Sequence, residues 1–258
     1  MKAPAILTAA VALCAASAQA QDKIESDRPD FVESSKVVGK GRFQFEAGLL
    51  VERERNAGTR ERTLSTPTLL RFGIADTLEL RVETDGRMNR HSTEEGRRTT
   101  AAGYGDTALG LSWHVLDGGE GRPSMAVLVS AEFDSGSRAF RGDGVRPALR
   151  VVGEWELSKE MTLGVMPGIG VERDEGGRYR YGMLGVALEK EFGQRWSGFA
   201  EVALPHIARS RHGGTEASFD IGAAYLLSKD VQLDAMLSRG LNSRTPDVAF
   251  TVGLSIRR

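Results

Sequence analysis

The chain has 258 residues, with 34 basic and 35 acidic side chains and a formal net charge of −1. This length fits one large β domain or two small ones. The balanced charge lacks the clustered positive excess of a nucleic-acid binder, so no nucleic-acid partner is expected. Among the 34 basic residues, 27 are Arg and 7 are Lys, a bias that suits paired charges and phosphate contacts.

Met1–Ala20 reads as a secretory signal peptide: Lys2 supplies the positive start, Ala5 to Ala16 the apolar stretch, and Ala18-Gln19-Ala20 the cleavage site. The apolar run is too short to span a bilayer as a helix. Cys14 is the single cysteine, and Leu13 stands where lipidation needs a small residue. The mature chain is therefore expected to begin at Gln21 with neither disulfide nor thiol nucleophile.

Residues 21–41 are polar, and Pro29 with Asp27, Asp30 and Glu33 argues against a strand there. This segment is either an N-terminal lead-in on the periplasmic side or a plug tucked into a barrel mouth. The plug candidate is Asp27–Ser34, chiefly Asp27, Arg28, Asp30 and Phe31, with Arg28 and Asp30 able to pair with wall charges and Phe31 to occupy an apolar spot.

From residue 42 to 258 the pattern alternates with a period of two, the mark of strands whose faces meet different solvents. Strand one covers about 42–52, with Phe43, Phe45, Ala47, Leu49 and Val51 on one face. The next hairpin, residues 63–86, sets Leu78, Leu80 and Val82 outward against Glu79, Arg81, Glu83 and Asp85 inward. Charge at four successive inward positions predicts a wet face. A turn symmetric about Ala75 would place Arg71 beside Glu79. Later strands are expected at about 105–116, 124–133, 147–157, 161–172, 181–190, 196–204, 216–226, from 231, and over the closing residues from Val248.

Connections alternate between short turns (73–77, 117–123, 158–160, 191–195, 227–230) and mostly longer polar loops. Phe72, Trp113, Trp155, Trp196 and Tyr225 fall on the outward face close to short turns, as an interfacial aromatic girdle requires. The expected fold is therefore all-β: a single antiparallel up-and-down transmembrane β-barrel of about twelve strands with a polar lumen, in the bacterial outer membrane. A periplasmic β-sandwich is the alternative, but it gives no reason for the three Trp residues to share one end.

Asp27-Arg28-Pro29-Asp30-Phe31, Gly41-Arg42-Phe43-Gln44-Phe45-Glu46-Ala47-Gly48 and Thr66-Pro67-Thr68-Leu69-Leu70-Arg71-Phe72-Gly73 resemble a family of bacterial outer-membrane transporters named after the meta-pathway of phenol degradation. The resemblance implies an outer-membrane barrel that admits small hydrophobic or aromatic compounds. It supplies no catalytic motif. Such barrels typically end in an aromatic residue read by the barrel insertion machinery, whereas this chain ends Ile256-Arg257-Arg258.

The lumen-lining candidates are Arg71, Glu79, Arg81, Glu83, Arg150, Glu154, Glu201, Asp220 and Asp234, together with Glu46 and Glu156. They form either a field that selects solutes or a structural network filling a narrow lumen. Arg53, Arg55, Arg60, Arg62, Arg87, Arg90, Arg97 and Arg98 fall in expected external loops, as do Arg138, Arg141, Arg209 and Arg211. Arg forks suit the phosphates of lipopolysaccharide and outer-membrane lipid, while the interleaved Glu54, Glu61, Glu94 and Glu95 favour self-paired loops.

Some twelve-stranded barrels are phospholipases, and Ser112-Trp113-His114 has a related spacing in reversed order. Catalysis is nonetheless not expected, because no orienting partner is identifiable. His91, His206 and His212 lack metal-ligand spacing, so neither metal nor cofactor is expected. The leading functional expectation is a passive channel for small, hydrophobic or aromatic solutes. The alternatives are a structural or adhesion barrel and, behind it, a barrel phospholipase.

Overall fold

The structure, a computed structural model, describes residues 23–56 and 58–258. The expected signal peptide, with Cys14, lies outside the described residues. In chain order the strand segments are β1 (Phe43–Asn56), β2 (Thr59–Ser65), β3 (Thr68–Ala75), β4 (Leu78–Thr84), β5 (Arg87–Glu94), β6 (Arg97–Tyr104), β7 (Thr107–Leu116) and β8 (Ser124–Phe133). They continue with β9 (Arg146–Ser158), β10 (Met161–Asp174), β11 (Gly177–Phe192), β12 (Trp196–Ile207), β13 (Ser218–Ser228), β14 (Val231–Gly240) and β15 (Val248–Arg257).

All neighbours pair antiparallel, and β15 returns to β1 with Phe45 opposite Ile256 and Arg53 opposite Val248. The other edge of β1 is shared: Phe43–Ala47 pairs with β3 and Leu50–Asn56 with β2. β2 and β3 are thus one long strand broken at Thr66-Pro67. β4/β5 and β6/β7 are likewise single strands broken at Asp85-Gly86 and Gly105-Asp106. Counted this way, the segments make a closed barrel of twelve strands. Closure matters because a membrane-spanning sheet has no water to satisfy an open edge.

The three breaks share one level and touch: Thr66 N donates to Asp85 O at 3.0 Å and Gly105 N to Gly86 O at 2.9 Å. Pro67 has no N–H to give a ladder. Gly86 adopts φ +63°, and a Cβ there would collide with the Thr66 carbonyl, so only glycine fits. Beyond this level β1, β2, β5 and β6 continue as a ladder above the main wall.

This ladder corrects the sequence expectation that residues 53–62 and 87–98 are loops. Where Arg and Glu alternate, both faces are polar, and the apolar half of the strand signal vanishes. Several connections at this end are correspondingly tight, as at 174–177 between β10 and β11. The predicted register of β3 and β4 also shifts. A bulge between Gly73 and Ala75 moves the pairing so that Phe72 faces Leu80 and Arg71 faces Arg81.

The outer face is apolar, with Leu49 52%, Leu109 47%, Val129 52% and Phe250 48% exposed. Charge goes inward: Arg71, Glu46 and Glu79 are each fully buried. That inversion is what a lipid-facing wall demands. Phe72, Trp113, Trp155, Trp196 and Tyr225 all lie on the outer face at the short-turn end, and the Trp196 and Tyr225 rings approach to 4.7 Å.

Candidate functional site: a segment held inside the barrel

Residues 23–38 enter and leave at the short-turn end and cross the lumen between. At one limit Ile24 N donates to Lys229 O at 2.7 Å; at the other Val38 N donates to Glu79 Oε2 at 2.9 Å. The segment is irregular, so no strand ladder takes its N–H groups, and a buried N–H without a partner is costly. Wall carboxylates take that role. Asp27 N donates to Glu46 at 3.1 Å, Phe31 N and Val32 N to Glu201 at 2.9 and 2.7 Å, and Ser35 N to Glu154 at 2.9 Å.

The centre of the network is Asp27, which accepts from Arg81 Nη1 at 2.6 Å and lies 3.2 Å from Arg71 Nη1. Burial disfavours its charge, yet the two guanidinium groups and the Ser34 N–H together hold its carboxyl below the ordinary value. Arg71 also reaches Glu79 at 2.9 Å, Glu46 at 3.3 Å and the carbonyls of Glu25 and Lys36 at 3.0 and 2.8 Å. Arg81 reaches Glu33 at 3.4 Å, and Arg150 pairs with the same carboxylate. A planar five-donor fork suits such simultaneous contacts.

On the opposite wall Arg28 donates to Asp234 at 3.3 Å and Thr251 at 2.8 Å. Gly48 and Gly253 face each other across the β1–β15 seam, and a Cβ on either would strike the Arg28 guanidinium. Val32 fills an apolar patch of Ala126, Leu128, Val152, Met166 and Ala187, with Phe31 beside it. Burial also raises the Glu33 carboxyl, against the pull of Arg150 and Arg81, but Asp30, expected to pair with a wall charge, makes no ion pair among the described residues. Burial, with Glu189 and Glu201 nearby, pushes its carboxyl well above the ordinary value.

Of the lumen candidates, Arg71, Glu79, Arg81, Arg150, Glu154, Glu201 and Asp234 all contact the segment. Asp220 instead accepts from Ser218 at 3.0 Å, and Glu83 is exposed in the open half of the lumen. The expectation of a uniformly wet inward face is corrected here: Glu79 and Arg81 are dry because the segment covers them.

Ser35 and the glycine pair Gly48 and Gly253 were not legible as parts of this arrangement, nor was the pairing of Glu33 with Arg81 and Arg150. Two inward glycines at opposed positions were the available signal. Also unanticipated is an aromatic cluster at the long-loop mouth: Tyr179 stacks on His212 at 4.2 Å and Tyr181 lies 4.7 Å from His206. Asp106 anchors the 134–145 loop by accepting from Gly136 N and Gly142 N, each at 2.7 Å.

His114 does have an acid partner, contrary to expectation: Nε2 lies 2.8 Å from Asp117 Oδ1. Its Nδ1 lies 2.8 Å from the Ser35 carbonyl. Both ring nitrogens are thereby engaged away from Ser112, which is fully buried, so the pair lacks the nucleophile–base contact.

The family model described as "Putative MetA-pathway of phenol degradation" matches residues 26–257, from the lumen segment to the closing strand. The chain belongs to this family. Its fold is that of solved outer-membrane barrels. An outer membrane channel from Pseudomonas putida F1 superposes with a TM-score of 0.60 at 12% identity, covering 87% of this chain and 97% of that one. The KdgM porin gives 0.54 at 14% identity, covering 83% and 98%. The translocator domain of the autotransporter NalP from Neisseria meningitidis gives 0.53 at 12% identity, covering 85% and 89%. At such identities the likeness is one of fold. No curated protein matches the sequence. This member of the phenol-degradation family thus combines an outer-membrane barrel wall with an N-terminal segment lodged in the lumen.

Proposed function

We propose that the chain is an outer-membrane channel for passive uptake of small apolar or aromatic solutes, with residues 23–38 closing its periplasmic half. The observation that carries this reading is how the segment is held. It joins the wall through side-chain carboxylates and guanidinium groups and not through a strand ladder, so it can leave without unpairing the barrel. Short turns face the periplasm in such barrels, which supports a periplasmic position for the segment. Tyr179, Tyr181 and His206 at the opposite mouth offer ring faces to a planar solute, and the family description points to phenol chemistry. Outer-leaflet lipid and the barrel insertion machinery are the other expected partners.

The density of pairing around the segment favours a second reading, a permanently closed barrel with a structural role. Planar-bilayer conductance and liposome uptake of phenol separate the two. Deleting residues 22–34 is expected to raise both several-fold over the full chain. If the deletion variant inserts yet passes no more ions or phenol than the full chain, the channel reading falls and the structural one stands.

A further inference from the structure

The ladder at the long-loop end sorts charge by side. In β1 and β2, Glu52, Glu54 and Glu61 point into the barrel, where Glu61 lies 3.1 Å from Arg90. Arg53, Arg55, Arg60 and Arg62 point outward and are exposed. The register sets Arg53 directly opposite Arg62 and Arg55 directly opposite Arg60. Like charges facing one another across strands destabilise a sheet. Among the described residues none of these four makes an ion pair or a side-chain hydrogen bond. The alternation therefore creates an outward row of four arginines that no ion pair among the described residues neutralises.

This row stands at the edge of the apolar belt. Two residues before Arg53 on the same face is Val51, which lies opposite Phe250; Arg239 of β14 lies opposite Val248. Together they enclose a hollow of about 820 Å³ on the outer surface, with Arg53, Arg55, Arg62 and Arg239 as walls over an apolar floor. Asp247 borders it, and Arg239 donates to the Asp247 carbonyl at 3.1 Å. A soluble anion would satisfy the arginines but leave the floor bare. A neutral lipid tail would cover the floor but leave the arginines opposed. An occupant matching both carries phosphate at one end and acyl chains at the other, at the level where the outer leaflet changes from head group to tail.

We propose that this outward hollow binds the phosphates of a polyacylated outer-leaflet glycolipid, with Arg53, Arg55 and Arg62 on phosphate oxygens and Val51 and Phe250 against acyl chains. Arg forks take phosphate through paired, charge-assisted hydrogen bonds, and cations on an outer-membrane surface meet such groups at high local density. The inference requires an outer-membrane location but not an open lumen, so failure of the channel reading leaves it standing.

The test uses the full-length protein in detergent, titrated with three probes: bisphosphorylated lipid A, its dephosphorylated form, and inorganic phosphate. Binding is read by native mass spectrometry, and the rise in unfolding temperature by heat-modified gel migration. Bisphosphorylated lipid A is expected to bind about tenfold tighter than the dephosphorylated form. Arg53→Gln/Arg62→Gln is expected to lose that preference, while Arg90→Gln, on the inner face, keeps it. Without lipid, Arg53→Gln/Arg62→Gln should be no less stable than the native chain, because an opposed cation pair has been removed. Should that variant fail to fold, Arg55→Gln/Arg239→Gln carries the same expectation. Equal binding of the two lipid forms, or saturation by inorganic phosphate at the same concentration, would overturn the proposal.

Discussion

Within a single strand, β4 and its extension present two environments. Glu79 and Arg81 are buried and ion-paired; Glu83 and Asp85, further along the same inward face, are exposed to the lumen. The residue types and the alternation are the same. What differs is the arrival of residues 23–38, which lay Asp27 and Glu33 against Arg81 and draw Val38 N to Glu79. Inward charge on a barrel wall is thus not one feature. In the turn-end half it is the docking surface for a segment of the same chain, and in the loop-end half it lines open space.

The contrast is broken most severely at Arg81. Arg81→Ala leaves Asp27, Glu33 and Glu79 short of a cation in a dry site, where removing one partner of a buried pair costs about 3–5 kcal/mol. Amide hydrogen exchange at Phe31 and Val32 is expected to speed up by more than a hundredfold while the barrel strands keep their protection. Unchanged exchange would show that the ion pairs do not hold the segment. Val32→Ala tests the apolar anchor. Losing two buried methyl groups from the patch around Met166 and Leu128 is expected to weaken docking by about 2 kcal/mol, read by the same exchange measurement.

The segment's acids make docking depend on pH with opposing signs. Asp30 has a raised carboxyl value, so its protonated form favours the docked state. Docking is strongest below its ordinary value of 3.8 and weakens as pH rises from there toward the raised value. Asp27, with a lowered value, contributes stability that is present above 3.8 and lost only as pH falls further. Glu33, also raised, acts with the same sign, so conductance is expected to fall as pH is lowered through the raised values toward 3.8, with part of that dependence removed in Asp30→Asn. A profile identical in Asp30→Asn would shift the cause to Glu33, the segment's other raised carboxyl. At the small end of the series, Glu83→Gln removes a group with no hydrogen bond or ion pair to the docked segment, only a weak repulsion toward Glu33. Its effect on exchange at Val32 should stay within about 0.5 kcal/mol, and a larger one would mean that the two halves of the wall are coupled.

Much of the barrel was readable from the chain, for a reason visible in particular residues. Leu78, Leu80 and Val82 alternate with Glu79, Arg81 and Glu83, and that contrast survives any detail of the turn. The register did not survive, because one extra residue at Ile74 bulges the strand and shifts every pairing beyond it. Strand length was also hidden wherever the outward face turned from apolar to Arg. In Arg53-Glu54-Arg55 the period of two persists, but both sides are charged and the segment reads as loop. The same feature concealed the outward arginine field, since Arg and Glu adjacent in sequence read as self-paired until the strand puts them on opposite sides of the wall.

Sequence alone determined the alternation, and with it an antiparallel barrel whose apolar side faces lipid and whose charged side faces inward, because side-chain direction in a strand is set locally. The tertiary structure decided where the N-terminal segment goes and which inward charges are dry. Asp27 meets Arg81 across 54 residues of chain and Arg28 meets Asp234 across 206. Contacts of that span depend on closure of the sheet, which no local pattern encodes.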